Sequence, residues 1–232
     1  MKLDINAMKW TREPAEYKVD GDAVAITTAP GTDLWQRTYY HFRNDNAPVL
    51  QLETDERFFS FVVRTDFTRS AHRFDQCGVA LYLDSENWLK ASVEYENETF
   101  QHLGSVVTNH GYSDWATTAI PADVKQMWYR LSRREDDYCL ECSPDGETFS
   151  QMRVCHLWEG AGDHPLRHLR LQPGGLQLYR HLHRHGRHRV RLEGPRRPEA
   201  GRGILIISVL VRNWGDKRSS LFVLAIRTPY SD

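Results

Sequence analysis

The residues best suited to chemistry are aromatic and charged side chains that recur at every second position through the middle of the chain. Trp88, Lys90 and Glu94 alternate with Leu89, Ala91, Val93 and Tyr95. Tyr82 stands out of phase with Cys77, Val79, Leu81 and Leu83; Arg130 alternates with Tyr129 and Leu131, and Glu141 with Leu140 and Cys142. Successive side chains of a strand point to opposite faces, so the polar and aromatic groups collect on the face turned from the core. An aromatic ring there is an apolar platform, and flanking carboxylates and basic groups can bond hydroxyls. Tyr82, Trp88, Lys90, Glu94, Arg130 and Glu141, with Asp114 and Trp115 from a neighbouring loop, therefore form a candidate ligand-binding face, with carbohydrate as the ligand class. The plainer alternative is a solvated face in which Lys90–Glu94 and Arg130–Glu141 are ion pairs, each worth ~0.2–1 kcal/mol.

Other arrangements carry less. Hydrolysis of a glycoside needs two carboxyls about 5–5.5 Å apart, or roughly 6.5–9.5 Å for inversion. Glu94, Glu96 and Glu98 alternate, but Asn97 and Glu98 read as a turn, so no catalytic residue is assigned. Cys139 and Cys142 have CxxC spacing, yet an offset of three within a strand sends them to opposite faces. No second pair completes a zinc site, and the cysteines read as structural thiols. No Ser/His/Asp set or phosphate-cradling glycine loop occurs. His181, His183, His185 and His188 have metal-like spacing, but no strand or helix pattern presents them. No metal and no cofactor is expected.

The elements that must position these groups are short strands. Candidates are Ala23–Thr27, Val49–Glu53, Phe58–Phe67, Cys77–Leu83, Trp88–Tyr95, Phe100–Thr108, Trp128–Arg134, Tyr138–Ser143 and Phe149–Leu157. Turn clusters such as Asp84-Ser85-Glu86-Asn87 and Pro144-Asp145-Gly146 separate them. Strands at this spacing, without a long amphipathic helix, predict an all-β sandwich or barrel. Trp35, Tyr39 and Phe42 read as core and corner packing.

This pattern stops at Asp163. Residues 1–163 hold 16 Lys+Arg against 27 Asp+Glu, net −11, whereas 164–232 hold 14 against 4, net +10. Six of the eleven histidines lie between His164 and His188. A basic tail suggests nucleic acid or membrane, but another cause fits better. Plausible GC-rich codons for His-Pro-Leu-Arg-His-Leu-Arg-Leu, read one nucleotide later, give Ile-Pro-Phe-Gly-Ile-Tyr-Ala-Cys, followed by a turn cluster and an alternating strand. The hypothesis is a one-nucleotide insertion near the Asp163 codon that makes 164–232 an out-of-frame tail, disordered or poorly packed; an unbroken gene without that alternative frame refutes it. The expected organisation is a sandwich over 1–163, incomplete at its closing strands, and the foreign tail. No nucleic-acid or membrane partner is expected. Met1-Lys2-Leu3-Asp4 turns polar too soon for a signal peptide, and Ile204–Val211, the longest apolar run, is too short to span a bilayer. Cytoplasm is the expected location.

Several motifs in order carry a family resemblance. Thr32-Asp33-Leu34-Trp35-Gln36-Arg37-Thr38-Tyr39-Tyr40-His41-Phe42 resembles a TDxWxxTxYxF segment. Asp75-Gln76-Cys77-Gly78 through Asp84, Asn87-Trp88-Leu89-Lys90-Ala91, Val93-Glu94-Tyr95, Val106-Val107-Thr108, Ser113-Asp114-Trp115 and Ser143 with Asp145-Gly146 follow. Together, over about 7–163, they resemble the regulation of enolase protein 1 family, of unknown function. The resemblance implies a concanavalin A-like jelly roll of two antiparallel sheets with a concave face, related in shape to lectins and glucanases but not thereby in activity. The out-of-frame Phe-Gly-Ile-Tyr-Ala-Cys-Ser-Pro also resembles the family's closing segment. The functional expectation is a non-catalytic module that binds carbohydrate, or a metabolic-enzyme partner such as a glycolytic enzyme, through the concave face. The alternatives are a glucanase-like glycoside hydrolase, for which Glu94–Glu98 superficially resembles the ExDxE strand of laminarinase-like enzymes, and an enolase-regulating interaction protein with no sugar ligand.

Overall fold

A computed structural model describes residues 5–54, 56–70 and 72–158, and the backbone of two later strands at 204–210 and 221–227. After a short 3-10 turn at Ile5–Ala7, the chain runs through β1 (Lys9–Trp10), β2 (Glu16–Asp20), β3 (Ala23–Thr27), β4 (Leu34–Gln36) and β5 (Arg43–Asp45). It continues with β6 (Val49–Glu53), β7 (Phe58–Asp66), β8 (Gln76–Asp84), β9 (Asn87–Tyr95), β10 (Phe100–Asn109) and β11 (Tyr112–Pro121). Then come β12 (Gln126–Arg134), β13 (Asp137–Ser143), β14 (Ser150–His156), β15 (Ile204–Leu210) and β16 (Leu221–Arg227).

These strands make a sandwich because period-two alternation gives each of them one apolar face to bury. The larger sheet has the order β1-β6-β16-β8-β9-β10-β11 and the smaller β14-β13-β12-β7-β15. Between them lie Val79 and Leu81 from β8, Leu89 and Val93 from β9, Phe61 and Val63 from β7, and Tyr129 and Leu131 from β12, all buried. The predicted core faces of the central strands are therefore the observed ones. Two hairpins, β2–β3 and β4–β5, are added to the sheets.

One ten-residue strand was not foreseen. β11 pairs with β10 along its whole length, from Asn109↔Tyr112 to Phe100↔Pro121. Its sequence, Tyr-Ser-Asp-Trp-Ala-Thr-Thr-Ala-Ile-Pro, lacks an apolar alternation because it is an edge strand exposed along most of its length. Asp114 and Trp115 consequently sit on a strand rather than on the expected loop.

Two late strands are described by their backbones alone. β15 pairs parallel with β7, and β16 lies between β6 and β8, parallel to both. Every other pair among the described residues is antiparallel. Ile-Leu-Ile-Ile-Ser-Val-Leu and Leu-Phe-Val-Leu-Ala-Ile-Arg suit strands by composition, and their backbones pair with strand edges that otherwise present open N–H and C=O groups. The histidine-rich stretch from His164 to His188, and with it most of the proposed out-of-frame sequence, lies outside the described residues. No helix among the described residues is long and apolar enough to cross a membrane.

Candidate functional site

Strand register arranges the larger sheet's outer face as four rows. Gln76, Glu94 and His102 are direct partners across β8, β9 and β10. The next row is Gly78, Ser92, Gly104 and Thr117; then Ala80, Lys90, Val106 and Trp115; then Tyr82, Trp88, Thr108 and Ser113. The second row holds small side chains between rows of larger ones, which leaves a depression in the sheet. Gly104 has a specific reason to be glycine: a Cβ there would lie 3.0 Å from Trp115 Nε1 and 3.2 Å from the Ala116 carbonyl oxygen. Trp115 thus leans across Gly104 toward the depression.

The fourth row is not open. The β4–β5 hairpin is laid over it, and Leu34, Trp35, Ala47, Val49, Ala80, Tyr82, Trp88 and Val106 form a second apolar cluster. Trp88 is wholly buried, and its Nε1 donates to the Ser85 carbonyl at 3.3 Å. Tyr82 donates its hydroxyl to Asp45 Oδ2 at 2.8 Å, beside Arg12. Ser113 Oγ accepts from the Gln36 backbone N–H at 2.9 Å and bonds Thr108 Oγ1 at 2.7 Å. The fastening residues come from both hairpin and sheet.

Between hairpin and sheet opens a cavity of about 620 Å³, within the ~300–1,000 Å³ range usual for small-ligand sites. Its wall is aromatic: Trp35, Tyr40, Phe42, Phe74 and Trp115 line it. Trp35 meets Tyr40 at 5.6 Å and Trp115 at 6.3 Å between ring centroids, both edge to face. The segment that carries Tyr40 and Phe42 is tightly wound. Thr38 and Tyr40 donate their N–H groups to the Gln36 and Thr38 carbonyls at 2.6 Å, and Arg37, Tyr39 and His41 take positive φ of 53°, 61° and 63°. Such left-handed conformations in bulky residues persist only where surrounding contacts impose them.

The floor is polar. Lys90, only 6% exposed in its side chain, reaches Asp33 Oδ1 at 3.1 Å, and Asp33 also accepts from the Leu34 N–H at 2.7 Å. Gln76 Nε2 donates to Glu94 Oε2 at 2.8 Å, and Ser92 Oγ donates to Gln76 Oε1 at 3.0 Å. At the rim Arg73 holds Glu96 at 2.8 Å. Burial pushes the Glu94 carboxyl up to about 7; Lys90 pulls it down, Asp33 and Glu96 push it up, and Arg73 pulls it down. Because the folded state keeps this proton to higher pH than the unfolded chain, Glu94 costs stability progressively as pH rises from about 4.5 to about 7. Glu94→Gln should therefore raise the melting temperature more at pH 8 than at pH 4.5, with a difference on the order of 3 kcal/mol. Equal effects at both values would refute the assignment.

Of the eight residues proposed from sequence, the cavity gathers three: Lys90, Glu94 and Trp115. Tyr82 and Trp88 share their face but are sealed beneath the hairpin, so neither is a platform. Asp114 points to the other side of β11, where Arg153 Nη2 bonds it at 2.7 Å. Arg130 and Glu141 face each other across β12 and β13 of the smaller sheet, joined as a forked pair with Glu141 buried. Lys90 pairs with Asp33, not with Glu94. Sequence reasoning missed Asp33, Tyr40, Phe42 and Phe74, and also Gln76, Ser92 and His102. The Thr32–Phe42 motif held a signal in its aromatic density, but Tyr39 and Phe42 are exposed rather than packed in a core. Among the described residues no group of three or more His, Cys, Asp or Glu is placed to hold a metal.

Two sheets packed face to face, with a polar and aromatic depression on the outer face of the larger one, define a β-sandwich of the concanavalin A-like type. The chain belongs to the family described as "Protein of unknown function (DUF1349)", whose model matches residues 10–167, which bears out the resemblance carried by the motifs. It is 29% identical over 145 residues to "Regulation of enolase protein 1" of Saccharomyces cerevisiae, covering 62% of this chain and 71% of that protein. Among solved structures it is similar to a functionally unknown protein from Saccharomyces cerevisiae, with TM-score 0.59, 24% identity, and coverage of 67% of this chain and 82% of the other. It is also similar in fold to the GH43 protein BlXynB of Bacillus licheniformis, with TM-score 0.50 and 18% identity, over 64% of this chain and 28% of that one.

Proposed function

We propose that this chain is a non-catalytic binding module that takes a carbohydrate in the cavity between the β4–β5 hairpin and the larger sheet. The observation that carries the reading is the pairing of an aromatic wall with a floor of fixed polar groups, Lys90, Gln76, Ser92 and Glu94. Rings offer apolar area to the C–H faces of a sugar, while the floor supplies donors and acceptors for its hydroxyls. Titration calorimetry against a panel of gluco-, xylo- and amino-sugar oligomers tests it. At least one oligomer should bind, and Trp115→Ala should weaken that binding about tenfold or more, with the fold retained. Loss of a large rigid contact in a desolvated pocket typically costs ~2 kcal/mol or more. Binding that is absent, or indifferent to Trp115, overturns the reading. Release of reducing sugar that stops in Glu94→Gln would make the site a hydrolase instead.

The similarity to Regulation of enolase protein 1 favours a second reading, in which the same face meets a metabolic enzyme. Capture of a purified glycolytic enzyme, unaffected by any sugar and lost in Trp115→Ala, would support it.

A further inference from the structure

The two basic side chains that line the cavity are already engaged by acids, Lys90 by Asp33 and Arg73 by Glu96. Glu94 has different company. Its facing residues are Gln76 on β8 and His102 on β10. Ser92 donates to the Gln76 carbonyl oxygen, which turns the Gln76 amide nitrogen toward Glu94 and commits Oε2 as an acceptor. Lys90 and Arg73 pull the Glu94 carboxyl down, but burial pushes it up by more. A largely buried carboxylate whose burial outweighs its basic neighbours is costly, and a cation brought in by a ligand would offset that cost. The aromatic faces nearby also attract cations.

We propose that the cavity selects an amine-bearing sugar, whose ammonium pairs with the Glu94 carboxylate while its ring lies along the aromatic wall. The inference rests on the carbohydrate reading above and narrows its ligand class. The charged and titratable groups around Glu94 are Lys90 on the same strand, Asp33 ahead of β4, Glu96 past the strand end, Arg73 ahead of β8 and His102 across on β10. Burial pushes the Glu94 carboxyl up to about 7, so to the extent that it carries its proton at pH 6 an ammonium ligand expels it: carboxylic acid plus ammonium gives the ion pair and a free proton.

Calorimetry at pH 6 in two buffers of different ionisation enthalpy, with β-1,4 trimers of glucosamine, N-acetylglucosamine and glucose, tests this. The glucosamine trimer should bind about tenfold tighter than the other two, as expected for a charge-assisted bond out of bulk water. It should also release up to about one proton per site. In Glu94→Gln, with its fold verified by a cooperative melt, the preference and the proton release should both disappear. If the three trimers bind alike, or the preference survives in Glu94→Gln, the charge selection is wrong while the carbohydrate reading stands. If no trimer and no other sugar of the panel binds, the carbohydrate reading fails and the inference falls with it.

Discussion

Trp88→Ala should destabilise the fold by ~3–5 kcal/mol, the range for removing a fully buried large aromatic, and lower the melting temperature by about 6–20 °C for a chain of this size. Trp88 has no exposed surface, lies in the cluster with Leu34, Trp35, Tyr82 and Val106, and bonds Ser85 through its indole nitrogen. Its removal leaves a void between hairpin and sheet, and the hairpin carries one wall of the cavity. Ligand binding should weaken as a consequence of lost order, in proportion to the fraction unfolded. A variant with unchanged urea midpoint and selectively lost binding would instead restore Trp88 as an exposed platform.

Gly78→Ala should be comparably severe, on the order of 3 kcal/mol, at the upper end of overpacking costs. An added Cβ would collide with the Ala91 carbonyl and lie 2.7 Å from Ser92 Cα, and both obstacles are backbone. β8 is paired on its two sides, with β9 and β16, so it cannot step aside without breaking a ladder. Gly104→Ala provides the comparison: its nearest obstacle is the Trp115 ring, a side chain able to move. That variant should melt closer to the parent while shifting Trp115 fluorescence. If Gly78→Ala melts as Gly104→Ala does, the close approach at Gly78 is not what fixes the residue.

Much of the sandwich was legible because half-buried strands announce themselves. The alternation in Cys77–Leu83 and Trp88–Tyr95 correctly placed Val79, Leu81, Leu89 and Val93 in the core. The same reasoning failed for Trp88 and Tyr82, since alternation says which side of a sheet a residue takes, not what covers that side. Here the β4–β5 hairpin does, and Leu34 is 54 residues away from Trp88 in sequence. β11 was illegible for the complementary reason: an exposed edge strand needs no apolar period. The cavity wall was hidden likewise, because Asp33, Tyr40 and Phe42 meet Lys90 and Trp115 only through a long-range fold-over. Arg130 and Glu141 were rightly paired with each other and wrongly assigned to this face, because period-two patterns do not say which of two sheets a strand joins.

The hairpin's manner of attachment has a kinetic meaning. Seated on Trp88, bolted through Tyr82–Asp45 and Gln36–Ser113, and wound through three left-handed residues, it is a fixed jamb rather than a door. On the proposed carbohydrate reading, a guest would meet a wall already held in place, leaving the protein little ordering entropy to lose. Discrimination among guests should consequently appear in how long each one stays, while arrival rates remain nearly alike.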